Sequence, residues 1–105
     1  MKNIFCSLAV LILAVGLSFA DEKPFNYKPK DGYVPDEQTA IAIAVAVWSP
    51  IYGRDHIQNE KPFKAVLTNG VWHVEGTLPE GLVGGVAVAE ISKDDGRILK
   101  VSHGQ

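Results

Sequence analysis

The sequence predicts an α+β fold, with one main N-terminal helix and a short helical turn packed on a curved four-stranded antiparallel meander. Three observations predict it. Residues 40–48 read AIAIAVAVW behind a Pro35-Asp36-Glu37 start, which joins a ring-fixed φ and acids at the positive dipole end to a run rich in alanine, the best helix former. Asn69-Gly70 separates two short runs rich in valine and other strand formers, the strongest short hairpin signal because both turn residues need positive φ. Asp94-Asp95-Gly96 separates a second such pair, with glycine where a three-residue loop needs a left-handed residue.

Taken in order, residues 1–20 (MKNIFCSLAVLILAVGLSFA) have a basic start at Lys2, an uncharged run from Ile4 to Phe19 and a small-residue end at Ala20. That layout is a signal peptide cut after Ala20 and places the mature chain in the periplasm or outside the cell. The alternative is an uncleaved membrane anchor, since the run is near the lower limit for spanning a bilayer. Cys6, the single cysteine, leaves with the peptide, so the mature domain has no disulfide and depends on packing. Residues 21–33 hold two prolines, a glycine and six charges without apolar periodicity, the composition of a flexible tether. Residues 34–105 form the single domain.

The run at 40–48 alternates large and small residues, which a strand would also do. As a helix it sorts cleanly: Ile41, Val45, Trp48 and Tyr52 make one stripe, flanked by Ile43, Ala44, Val47 and Ile51. Gln38, Thr39, Ala42, Ala46 and Ser49 share the other side. Pro50 is expected to end or kink the helix, and Gly53 to turn the chain into a short helical piece over 54–59.

Strands are expected over 63–68 and 71–77. A two-residue loop pairs Thr68 with Val71, Leu67 with Trp72, Ala65 with Val74 and Lys64 with Glu75. Phe63, Ala65, Leu67, Trp72 and Val74 then face the helix, and Lys64 and Glu75 form an outer ion pair. The second hairpin joins 86–93 to 97–103, with Glu90 opposite Lys100. Ala87, Ala89, Ile91, Leu99 and Val101 point inward; Val66, Val71, Val86, Val88 and Ile98 point outward. The product is a two-layer domain.

Charge and composition exclude several functions. Without Lys2, nine basic residues face twelve acidic ones, spread along the chain, so the basic face that nucleic acid requires is missing. His73 and Glu75 have a spacing that metal ligands use, and His56 or His103 could complete a site, but the register assigns Glu75 to Lys64 and no metal is expected. Lys93-Asp94-Asp95-Gly96 lacks the alternating acids of a calcium loop. No serine lies in a nucleophile-elbow context, and no catalytic residue or cofactor is expected. His103 near the open end of the sheet could pair with an acid for proton transfer, although a half-buried structural histidine is the simpler reading. The segment 78–85 (LPEGLVGG) carries Leu82 and Val83 in a setting that either turns a corner or binds something. Val88 belongs to an outward apolar patch suited to a protein partner.

The ordered set from Ala40 to Trp48, Ile51-Tyr52-Gly53, Glu60-Lys61-Pro62-Phe63, Gly70 to Gly76, Leu78-Pro79, Gly84-Gly85-Val86, Ile91-Ser92-Lys93 and Gly96 to His103 resembles the nuclear-transport-factor-2-fold immunity proteins of bacterial polymorphic toxin systems. The resemblance covers residues 35–103. It implies a reduced nuclear-transport-factor-2-like, cystatin-like two-layer domain and a non-enzymatic protein that binds and neutralises a cognate toxin. Its matching positions are Tyr52, Gly53, Glu60, Lys61, Pro62, Trp72, Gly76, Gly84, Gly85 and His103. The expected partner-contacting residues are therefore Glu60, Lys61, Trp72 and His103, together with Leu82, Val83 and Val88 from the loop and sheet. A PepSY-like periplasmic inhibitory or regulatory module has a similar helix, hairpins and last turn. A small-ligand-binding or isomerase-type enzyme on a related fold predicts a pocket holding His103 and an acid.

Overall fold

The computed structural model describes residues 23–104; the expected signal peptide lies outside the described residues. Helix α1 spans Glu37–Tyr52 and α2 spans Arg54–Gln58. The strands are β1 (Lys64–Thr68), β2 (Val71–Glu75), β3 (Ala87–Ser92) and β4 (Ile98–His103), in sheet order β1-β2-β3-β4 with every pair antiparallel. The two-layer α+β meander is the predicted one.

Asp36 caps α1, its side chain accepting the Thr39 N–H at 2.8 Å, which satisfies one of the free donors of the first turn. Of the two outcomes expected at Pro50, an end or a kink, the end does not occur. Pro50 sits exposed on the solvent side, where the carbonyl that loses a partner can meet water, and α1 continues to Tyr52. Gly53 ends it with φ 97°, and its N–H donates to Ser49 O at 2.9 Å.

The buried side of α1 is also rotated from the expected one. Its fully buried residues are Ala40, Ala44 and Trp48, while Ile41 and Val45 are only partly buried. At 100° per residue this turns the helix by about 70° from the stripe of largest side chains. The reason is steric: small residues on the contact face let the helix approach Val74, Ala87 and Ala89, all buried beneath it. The larger Ile41 and Val45 are left to line an open groove of about 1030 Å³ with Phe63.

The β1–β2 register is the predicted one throughout, from Lys64 opposite Glu75 to Thr68 opposite Val71. The ion pair inferred from it is not formed; Glu75 Oε2 lies 3.6 Å from His73 Nε2 instead. Leu67 is 41% exposed although it shares a face with buried Trp72, because β1 is an edge strand. In the second hairpin Glu90 does face Lys100, but a bulge follows and Ile91 pairs with Ile98 rather than Leu99. Glu90 turns to His73, at 3.3 Å from Nδ1. Helix α1 lies mainly over β1, β2 and β3, so both Ile98 and Leu99 remain more than a third exposed.

Both indoles are buried with their N–H groups satisfied: Trp48 donates to Val88 O at 3.1 Å and Trp72 to Val34 O at 2.8 Å. Residues 28–33, the end of the tether expected from composition, lie with Val34 along the β3–β4 turn. Tyr33 N and Val34 N donate to Asp94 O and Lys93 O, each at 3.0 Å, and Lys28 pairs with Asp94 at 2.7 Å. Val34 is fully buried and belongs to the core.

Candidate functional site

Three polar side chains converge where the end of β4 meets α2. His56 stands on α2, Glu60 in the turn that leaves it, and His103 at the last position of β4. Glu60 follows a chain that continues from α2 by turn hydrogen bonds, Glu60 N to Ile57 O at 2.9 Å, and its carbonyl accepts Thr77 N–H at 2.7 Å. This locks the residue against the exit of β2. Gly76 makes room for it: a Cβ there would stand 2.5 Å from Glu60 Oε1 and 2.8 Å from Glu60 Cβ. Gly85 and Gly104 pack backbone to backbone beside the cluster, with no space for a side chain between them.

Glu60 is 2% exposed. Its Oε1 accepts the Ala87 N–H at 2.8 Å, and its Oε2 lies 2.7 Å from His103 Nε2 and 3.3 Å from His56 Nε2. A buried carboxylate needs donors or a cation around it, and here the nearby groups of positive character are two imidazoles. His103 Nδ1 meets Gly104 O at 2.7 Å, so an acceptor faces each of its ring nitrogens. The Gly104 carbonyl raises its pKa above the ordinary histidine value and the Glu60 carboxylate adds to the rise, against burial acting the other way. Tyr52 and His56 flank the His103 ring, each with centroids 5.1 Å away.

The cluster forms one wall of a cavity of about 370 Å³ whose opposite wall is the loop after β2, including Leu78, Leu82, Val83 and Gly85. Leu82 is 59% and Val83 97% exposed, a placement that leaves both at the rim. The structure thus brings together four residues singled out from sequence: Glu60, His103, Leu82 and Val83. It separates the other three. Lys61 is exposed and lines the α1 groove. Trp72 is 5% exposed and bonded to Val34 O, a core residue withdrawn from any contact surface. Val88 is half-buried on the outer face of the sheet. His73 and Glu75 also point to that outer face, so His56 and His103 cannot complete a site with them. His56 joins Glu60 instead, and the spacing of four residues between them on a helical segment was the available sequence signal.

Chemically, the arrangement places an acid and a histidine beside a cavity, the geometry a small-ligand or isomerase-type site would require. Both carboxylate oxygens of Glu60 are already engaged, however, one by a backbone N–H and one by histidine. This favours holding over proton transfer.

Comparison with known proteins agrees with this fold. An uncharacterized protein of Escherichia coli (strain K12), YhhH, is 37% identical over 73 residues, which are 69% of this chain and 58% of that protein. The chain therefore spans less than two thirds of that relative's length. No solved structure matches it. The family described as NTF2 fold immunity protein matches residues 39–105, from the first turn of α1 through the whole meander, and the chain belongs to that family.

Proposed function

We propose that this protein neutralises a cognate bacterial toxin by direct, non-enzymatic binding, and that the contact centres on the loop 78–85 and the rim of the cavity beneath it. Family membership supports the general role. The observation that carries the location is the exposure of Leu82 and Val83 at 59% and 97% on one loop. Apolar side chains held at a rim gain little for folding, and burying them in an interface supplies an apolar centre of the kind that dominates binding. The Glu60–His103 pair forms the facing wall of the same cavity.

The test is protection of a susceptible strain by Leu82→Asp and Val83→Asp variants. Both residues are exposed, so the variants keep the wild-type thermal midpoint while protection falls at least about tenfold, as for a contact worth about 1.4 kcal/mol. Intact protection by both folded variants would overturn the contact assignment.

The signal-peptide pattern of residues 1–20 supports action in the cell envelope, against a toxin of wall or membrane or one intercepted during entry. Replacing those residues by a start methionine abolishes protection under this reading. Protection that survives the replacement would refute it.

A further inference from the structure

We propose that His56 Nε2, Glu60 Oε2 and His103 Nε2 form a binding site for a divalent transition metal of the zinc type, with a fourth coordination position open to the cavity. The three atoms come from separate segments, α2, the turn after it and the end of β4, yet all lie within 4.8 Å of one another. In tetrahedral zinc coordination with metal–ligand distances of about 2.0–2.1 Å, neighbouring ligand atoms stand about 3.3 Å apart. The two histidine nitrogens are 3.2 Å apart, and Glu60 Oε2 is 3.3 Å from His56 Nε2. Two edges of the triangle thus already have the required length. The third, Glu60 to His103, is a 2.7 Å hydrogen bond and must open by roughly 0.6 Å.

The supporting contacts are those that metal ligands need. His103 has its other ring nitrogen on the Gly104 carbonyl at 2.7 Å, which directs the Nε2 lone pair towards the cluster once Nδ1 carries the proton. Glu60 has its second oxygen on the Ala87 N–H at 2.8 Å, which fixes the carboxylate and leaves Oε2 to face the histidines. Two nitrogens 3.2 Å apart cannot both donate to each other, and a buried carboxylate beside them adds negative charge. A divalent cation satisfies all three atoms at once. Two imidazoles and a carboxylate suit zinc better than the oxygen-seeking magnesium or calcium. The cavity of about 370 Å³ borders all three residues and gives water, or a side chain of a bound protein, access to the fourth position.

The experiment is zinc titration of the untagged, metal-free full chain by calorimetry, followed by thermal unfolding with and without zinc. The expected result is one equivalent bound and a midpoint raised by roughly 10–20 °C at free zinc a hundredfold above Kd. His56→Ala removes a ligand whose side chain is 57% exposed, so it keeps the fold and weakens binding about tenfold or more. Glu60→Gln has the same effect on affinity. His73→Ala, on the opposite face, changes nothing. With Co2+ in place of zinc, the intense visible absorption of tetrahedral coordination appears in the wild type and is lost in His56→Ala. Absence of stoichiometric binding, binding that persists in His56→Ala, or binding that depends on His73 would each overturn the proposal.

Discussion

Replacing Glu60 by alanine and by glutamine separates two roles that one side chain performs. Alanine removes the acceptor of the Ala87 N–H, and Ala87 is fully buried, so a donor is left without a partner at a cost of about 1–3 kcal/mol. It also removes the partner of His103, whose side chain is 17% exposed; a hydrogen bond to a charged group of this kind is worth about 1.5–3 kcal/mol. The two terms together bracket the about 3–5 kcal/mol typical of breaking a buried pair. Glutamine keeps a carbonyl on the Ala87 N–H and can donate its amide to neutral His103, so it costs about 1–2 kcal/mol. Urea unfolding followed by the fluorescence of Trp48 and Trp72 measures both. The expected gap between the variants is about 1–4 kcal/mol, each kcal/mol appearing as about 4–8 °C in the thermal midpoint. Variants that agree within about 0.5 kcal/mol would refute the reasoning, because the Ala87 donor would then be satisfied by something other than Glu60.

Two further outcomes follow from the start of α1 and the segment ahead of it. Asp36 has its pKa lowered by the hydrogen bonds from Thr39, so its cap stabilises the fold above the ordinary aspartate value near 3.8 and is lost as pH falls through the lower folded value. Asp36→Ala therefore destabilises at pH 7, and its difference from wild type shrinks below about pH 4, which stability curves across pH measure; a constant difference down to pH 2 contradicts this. Gly32→Ala adds a Cβ 2.5 Å from Lys93 O and 2.9 Å from Asp94 Cα at φ +89°. It is expected to lift residues 28–34 off the β3–β4 turn and to accelerate amide exchange at Tyr33 and Val34, with little change at Val74 in the sheet centre.

Much of the architecture was legible because its signals are local. Asn69 and Gly70 adopt φ of 51° and 77°, and a two-residue loop allows one register, so Leu67 opposite Trp72 followed from the turn. Asp36 caps α1 as the Pro35-Asp36-Glu37 start suggested. The errors arose where a local rule met a tertiary choice. Pro50 breaks helices when its missing donor is buried, and here the gap faces solvent. Lys64 and Glu75 are opposite, yet His73 on the same face stands within reach of both Glu75 and Glu90. The stripe of Ile41, Val45 and Trp48 is the more hydrophobic side of α1, but close approach to the sheet selected Ala40 and Ala44.

The candidate site shows the same division. Glu60 is legible from the family resemblance, His103 from that and from its place near the open end of the sheet, and Leu82 and Val83 from an apolar loop rich in glycine. That these four share one cavity depends on the meeting of α2 and the turn after it with the end of β4; the strand register places Trp72 on the helix side and Val88 on the opposite face. His56 and His103 are 47 residues apart in the chain and 3.2 Å apart in the fold.

By itself the sequence determined the order of elements, the first hairpin's register and the family, since turn chemistry, capping and periodicity act over a few residues. The tertiary structure alone decided which face of α1 is buried, which charges pair, and that two histidines and a glutamate meet. Those outcomes come from competition among distant groups for the same space and the same partners, and no stretch of the chain holds all the competitors.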